Sequence, residues 1–456
     1  MRKVCIVFLG LVMFSGAPGV LAQPATDATL ADKAEALIQP LVKADQFNGT
    51  VLVARNGIPV FQHAYGLANR EWNVPDTLNT KFRIGSITKQ FTATAILQLQ
   101  EAGKLSVDDP VSKYYTDAPA AWKGITIRHL LTHTSGIPSY TSIPRFFDGE
   151  AKLDRTPEQI IKLTADKPLE FEPGSKFAYD NSGYIILGYI IEKVSGEHYA
   201  DYVQHHIFDP LGMKSSGYDV SETIIPNRAA GYRFEKDKYV NAEYLSMTEP
   251  FSAGSLYSTV GDMLVWDQAL YAGKLLSPSS YQAMFTDYGH NYGFGWTIDS
   301  QFGHKHIWHN GGINGFVTNF DRYPDDKLTV IVFSNEVNAP IGRIANGLAA
   351  IYLGVPPRTP AAGGEAVLTK TIEALRLGTP NYDQMSPDLA DLVRSQLPGL
   401  QKMIGAAGDI KSVTLIAADP EGTDRYKVVL QNSAEEWAIK LGKDGKLTGA
   451  FVRPSQ

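Results

Sequence analysis

Apolar residues at Leu30, Ala34, Leu37 and Leu41 fall on one side of a helix, and this spacing predicts a helix over residues 28–46. Two apolar runs follow, 49–55 and 58–65, joined by Asn56-Gly57. An Asn-Gly pair between such runs is a strong hairpin signal, so both read as strands. A second helical pattern begins near Ser86 and ends near Gly103. Residues 316–323 and 328–334 again read as strands, turning at Asp325-Asp326, and 341–353 reads as a helix. The segments between are rich in Pro, Gly and Tyr and otherwise helical in pattern. The expected fold is therefore α+β, with one sheet assembled from both ends of this region and a helical region inserted between them.

The stretch Gly354-Val-Pro-Pro-Arg-Thr-Pro-Ala-Ala-Gly-Gly364 reads as a linker. Beyond it, 365–377 and 386–404 have helical patterns, and Ser386-Pro387 supplies a capping hydroxyl followed by proline at the first helical position. Four short strand candidates follow. Alternation at Tyr426, Val428 and Leu430, and at Trp437, Ile439 and Leu441, marks two of them, and Asp444-Gly445 marks a hairpin turn. The expected organisation is a main domain over 23–353, a linker over 354–364 and a small α+β domain over 365–456. No internal repeat is present.

Composition changes the picture mainly at the N-terminus. Arg2 and Lys3 precede the apolar run Val4 to Phe14, interrupted only by Gly10, and Val20-Leu21-Ala22 provides a cleavage site. This reads as a secretory signal over 1–22, because the run is far shorter than the roughly 20 residues that span a bilayer. The expected location is periplasmic or secreted, with no membrane span after cleavage. Cys5, the one cysteine, lies inside that signal. The mature chain then has no thiol nucleophile, disulfide or cysteine-bound metal. The formal net charge is −6, and losing Arg2 and Lys3 takes it to −8. With no long basic run, nucleic acid and anionic membranes are poor partners.

Candidate chemistry begins at Phe82-Arg-Ile-Gly-Ser-Ile-Thr-Lys-Gln-Phe91. Ser86 and Lys89 lie three apart at a helix start, hence on one face. Serine is a weak nucleophile until a base takes its proton, and lysine serves only when burial or nearby positive charge depresses its pKa. Backbone N–H groups at the helix start favour developing negative charge. Alone, Ser-x-x-Lys equally describes a capping serine and a surface lysine. Two further segments tip the balance: Tyr179-x-Asn181, 93 residues after Ser86, and His309-Asn310-Gly311-Gly312, 130 residues after Tyr179.

Together these resemble the serine beta-lactamase and penicillin-binding family, on the branch of class C beta-lactamases, DD-peptidases, D-aminopeptidases and related esterases. Its motifs Ser-x-x-Lys, Tyr-x-Asn and Lys/His-x-Gly occur here in order. Arg128-His-Leu-Leu-Thr-His-Thr-Ser-Gly-Ile-Pro138, Ser252-Ala-Gly-Ser-Leu-Tyr-Ser-Thr259 with Asp262, and Tyr292-Gly-Phe-Gly-Trp296 extend the likeness over about 30–353. The resemblance implies an antiparallel sheet flanked by helices. It implies Ser86 as the acylated nucleophile, Lys89 as its base, and Tyr179 coupled to Lys89 in exchanging protons with nucleophile and leaving group. It implies Asn181 as the amide orienting Lys89 and substrate, and Asn310 and Gly311 as substrate contacts. The backbone N–H groups of Ser86 and Gly312 would form the oxyanion hole. His309 stands where beta-lactamases usually carry lysine, which removes a permanent charge for a beta-lactam carboxylate.

The expected function is thus an acyl-enzyme hydrolase with no cofactor, a peptidase for D-residue peptides or an esterase. Its substrate would be a small molecule or peptide, and cell-wall material is a natural source. A beta-lactamase is the alternative within the class, and a penicillin-binding sensor without turnover the alternative outside it. Three rival features weigh less. His304, His306 and His309 suggest a metal, but alternation along a strand points His309 away from the other two. His133 and Ser135 suggest a triad, yet no Gly-x-Ser-x-Gly elbow surrounds Ser86, and this segment reads as cleft wall. Tyr140, Tyr257, Trp296 and Trp308 are candidates to line the cleft, against ordinary packing, with Trp308 favouring core.

Overall fold

The computed structural model describes residues 27–235 and 238–454. The signal read over 1–22, with Cys5, lies outside them. Strands β1 (Gly49–Arg55), β2 (Ile58–Tyr65), β3 (Thr297–Gln301), β4 (His304–Ile313), β5 (Phe316–Tyr323) and β6 (Leu328–Ser334) form one sheet in the order β3-β4-β5-β6-β1-β2. Every neighbouring pair is antiparallel. Chain ends more than 200 residues apart therefore meet at the β1–β6 pairing, Gly49 opposite Ser334 and Arg55 opposite Leu328.

Helices α1 (Asp27–Lys43) and α4 (Ile341–Leu353) cover one face of the sheet and the helix Val260–Ala272 packs on the other, with α2 (Thr88–Glu101) and α3 (Asn181–Ser195) in the helical region beyond it. Two apolar clusters account for the layering. In β1, Leu52 and Ala54 point into a large cluster with Ile87, Phe91 and Ile186 of the helical region. Val51 and Val53 point the other way, to Ala34 and Ile38 of α1 and Ile344 and Leu348 of α4. Strands β1 and β6 are buried on both faces, which is why they read as unbroken apolar runs rather than as alternation. On α1 the buried stripe is Leu30, Ala34, Ile38 and Leu41, with Leu37 only half-buried at its edge. A 3.6-residue period places Ile38 closer to the stripe's centre than the expected Leu37.

The expected strands at 49–55, 58–65, 316–323 and 328–334 and the helix at 341–353 have these same bounds in the fold. The helix expected from Ser86 begins later: Gly85–Ile87 is a 3-10 turn, and α2 starts at Thr88. Near the C-terminus, α5 (Gly364–Leu377) and α6 (Pro387–Ala407) pack on an antiparallel meander of β7 (Ile410–Ala418), β8 (Thr423–Leu430), β9 (Ala434–Leu441) and β10 (Leu447–Pro454). They share a core that includes Leu368, Ile372, Tyr426, Val428, Trp437 and Ile439. Ser386 caps α6 by accepting from the Leu389 N–H, and Pro387 follows at the first helical position.

Candidate active site

The turn bearing Ser86 is pinned between two strand systems. On one side Ile84 N–H donates to the Leu256 carbonyl at 2.9 Å, beside a short three-stranded sheet of Phe82–Arg83, Leu256–Ser258 and Gly217–Tyr218. On the other side the turn presses on β4. A Cβ on Gly311 would sit 2.0 Å from the Ile84 carbonyl oxygen, and one on Gly85 (φ +53°) would sit 2.9 Å from Gly312 N. Only glycine at these two positions lets the Ser86 turn and the strand touch backbone to backbone. Thr318 on β5 locks the contact by donating its hydroxyl to the Ile84 carbonyl at 2.9 Å.

The register of β3 leaves a free edge at this point. Its last partner on β4 is Trp308, opposite Thr297, so β4 from His309 to Ile313 has no strand on its outer side. Gly312 is exposed there and Gly311 is buried behind it. The side chain of Asn310 is exposed on the same stretch.

Lys89 is fully buried, with Nζ 3.1 Å from Ser86 Oγ. Its other two partners are acceptors, Asn181 Oδ1 at 2.8 Å and the Ala253 carbonyl at 3.0 Å. Burial pushes Lys89 down to about 7, against the opposing field of Asp180. A neutral amine has two N–H groups, which Asn181 and Ala253 occupy, so its lone pair faces the serine hydroxyl. Asn181 is itself held at the start of α3: its N–H donates to Ser139 Oγ and its Nδ2 to Thr141 Oγ1, each at 3.1 Å. Asp180 caps that helix by accepting from Gly183 N–H, and burial pushes its carboxyl up to about 7.

Tyr179 lies across Lys89, with Nζ 4.8 Å from the ring centre. The residue is 41% exposed, yet its hydroxyl is withdrawn from water. That desolvation pushes the phenol well above its usual value, with the neighbouring Ser86 hydroxyl opposing the rise. At neutral pH Tyr179 is therefore a phenol.

His309 is buried behind this group, its ring 6.1 Å from that of Tyr179. Burial, and then the charge of Lys89, push it down to about 3. Its hydrogen bonds specify a tautomer. The Asp180 N–H donates to His133 Nδ1 at 3.1 Å, which leaves the proton of His133 on Nε2, 3.3 Å from the Tyr292 oxygen. Tyr292 then donates to His309 Nε2 at 2.9 Å, and His309 Nδ1–H points to the Asn310 carbonyl at 2.6 Å. Both ring nitrogens are engaged, so His309 is a neutral imidazole fastened to its own strand.

Ser86, Lys89, Tyr179 and Asn181 thus converge, with Gly311 and Gly312 against the turn and His309 one layer back. The remaining histidines of β4 stand apart: His304 meets Asp326 at 2.8 Å, and His306 sits between Asp299 and Asp321. Among the described residues no group of three or more His, Cys, Asp or Glu side chains is placed to hold a metal ion. Ser135 accepts from the Ile137 N–H and donates to Asp180, as a wall residue would. Tyr140 lines the cleft, whereas Trp296 is core and Trp308 bonds to Asp299. Tyr257 lies on the short sheet, away from the cleft lining. Sequence reasoning missed the Ala253 carbonyl, Asp180 and the Tyr292 link. Tyr292 and Ala253 lie within recognisable segments, but nothing local signals their contacts.

A Ser-x-x-Lys turn wedged against a glycine strand of an antiparallel sheet, with Tyr-x-Asn opposite, defines a serine hydrolase. The chain belongs to the beta-lactamase family, whose profile matches residues 34–353. It is 36% identical over 313 residues to PbpX of Bacillus subtilis, which carries a penicillin-binding protein's name, covering 68% of this chain and 76% of the relative. It is 28% identical over 300 residues to the teichoic acid D-alanine hydrolase of Staphylococcus aureus, covering 63% and 70%. The octameric penicillin-binding protein homologue of Pyrococcus abyssi superposes with a TM-score of 0.63 and 26% identity, over 93% of this chain and 90% of that one. No helix among the described residues is long and apolar enough to cross a membrane.

Proposed function

We propose that this chain is an exported hydrolase that works through an acyl-enzyme on Ser86, cleaving peptides with D-residues or esters. The observation that carries this reading is the dry lysine: Lys89 Nζ lies 3.1 Å from Ser86 Oγ, with burial holding it down to about 7. In the first step the Ser86 proton passes to Lys89 as Oγ bonds to the substrate carbonyl carbon. The carbonyl oxygen becomes an oxyanion resting on the N–H groups of Ser86 and Gly312. The C–N or C–O bond then breaks, and the leaving group takes a proton from the Lys89–Tyr179 pair. Water repeats the sequence on the acyl-enzyme, losing its proton to the same pair and releasing acid and free Ser86.

Asn181 orients Lys89, and Asn310 and Gly312 meet the substrate along the free edge of β4, whereas Gly311, buried against Ile84, seats the strand on the Ser86 turn rather than contacting substrate. His309 serves as a neutral neighbour that adds no second charge beside Lys89. This favours peptidase or esterase chemistry over efficient handling of a beta-lactam carboxylate. The name of the S. aureus relative, a D-alanine hydrolase, supports a substrate with a D-residue drawn from the cell wall. The same reading takes residues 1–22 as the export signal, 23–353 as the hydrolase domain, 354–364 as a linker and 365–456 as a separate small domain.

Intact-mass spectrometry tests it. After a fluorophosphonate and, separately, a penicillin, the expected result is one adduct on the wild type and none on Ser86→Ala. A long-lived penicillin adduct fits a peptidase-like site, and rapid loss would make the protein a beta-lactamase instead. Adducts without turnover of a nitrophenyl ester would make it a sensor. An unmodified wild type would remove the serine-hydrolase assignment of this site.

A further inference from the structure

Beside Ser86, Asn181 and Gly312 opens a cavity of about 610 Å³, within the range that holds a small organic ligand. Its walls come from segments far apart in the chain. Phe147 and Tyr244 are each 55% exposed and Val337 is 37% exposed, and all three line this one cavity. Exposed apolar side chains scattered singly are ordinary, but three that converge on the space beside the nucleophile form a patch.

The charged residues of the lining are Asp148, Arg233, Glu243 and Glu249. Each already has an opposite charge. Asp148 meets Arg145 at 2.9 Å, Glu243 meets Lys152 at 3.3 Å and Arg233 at 3.2 Å, and Glu249 pairs with Arg155. His309, behind the nucleophile, is held neutral by its buried hydrogen bonds. The lining therefore offers no unmatched cation for a carboxylate and no unmatched anion for an ammonium. What remains is apolar surface that loses water when a ligand enters.

We propose that this cavity is a subsite for an uncharged alkyl or aryl group of the substrate, joined to the scissile ester or amide. The proposal rests on Ser86 being the nucleophile. Phe147, Tyr244 and Val337 then set specificity, and the group is held by removal from water rather than by charge.

Two ester series test this, one varying the acyl group of nitrophenyl esters from acetyl to hexanoyl, the other varying the alcohol of acetate esters over the same lengths. In at least one series kcat/KM should rise about three- to fourfold per methylene, as transfer of each CH₂ from water predicts. Phe147→Ala and Tyr244→Ala should each cut the long-to-short ratio about tenfold. Trp72→Ala, which removes an even more exposed apolar residue outside the cavity, should leave the ratio at its wild-type value. The ratio is internal to each variant, so partial misfolding does not change it. Flat or falling series on both sides, or preference for a succinyl ester over its neutral counterpart, would overturn the subsite. Absence of both turnover and fluorophosphonate labelling would overturn the Ser86 reading beneath it, and that outcome is distinct from a labelled, active enzyme with flat series.

Discussion

Two histidines three residues apart on β4 have opposite fates. His306 lies between carboxylates, with Nδ1 2.8 Å from Asp299 and Nε2 3.3 Å from Asp321. Burial opposes its charge, but the two carboxylates outweigh burial and raise it to about 9. His309 is equally buried, faces Lys89 instead of a carboxylate, and falls to about 3. One strand thus carries a cation at His306 and a neutral imidazole at His309 at neutral pH. The residue type does not set the charge; the partners across the strand do. A neutral His309 adds no positive field at Lys89, so burial alone lowers the lysine to about 7.

Variants can break this comparison, beginning with the largest effect. Lys89→Met should lower kcat/KM about a thousandfold or more, the scale of a lost general base, read by ester turnover. In the wild type, kcat/KM should rise with pH up to about 7 and level off above it, as Lys89 loses its proton. His309, at about 3, should add no second step between pH 5 and 9.

His306→Gln should cost about 3 kcal/mol of stability near pH 6, because it leaves the buried Asp321 and the half-buried Asp299 without their cation. The sign follows from a folded pKa above the unfolded value. The stabilisation is complete below about 6.5 and is lost as pH rises through about 9, so the variant and the wild type should converge in denaturant titrations above pH 9. Activity should change little.

Tyr292→Phe should lower kcat/KM about tenfold, since it removes the donor that fixes the His309 tautomer, a hydrogen bond of ordinary strength. A freed Nε2 can take a proton, so the acid limb of the pH profile should steepen and the ¹⁵N resonances of His309 should report the change. An unaltered profile would separate His309 from the reaction. The smallest effect sharpens the contrast directly. His309→Lys should speed acylation by penicillin severalfold relative to fluorophosphonate, by supplying a cation for its carboxylate.

Much of this was legible in the chain itself. Apolar runs bounded by turn signals marked β1, β2, β5 and β6, and helical periodicity marked α4, with their bounds, because local propensity and burial agree there. Ser86, Lys89, Tyr179 and His309 were legible as motif letters, with Asn181 and the two glycines. The start of α2 was displaced because Gly85, in a left-handed conformation, bends the turn toward β4 before the helix begins. Only tertiary structure decided that Lys89 meets the Ala253 carbonyl, that His133 is linked to His309 through the Tyr292 hydroxyl, and that Phe147, Tyr244 and Val337 share a cavity. These pairings join segments up to roughly 190 residues apart, and strand register and helix docking, not local sequence, determine which atoms meet. The same holds for charge. Lysine and histidine can be read as letters, but their protonation follows from the burial and partners that only the folded chain provides.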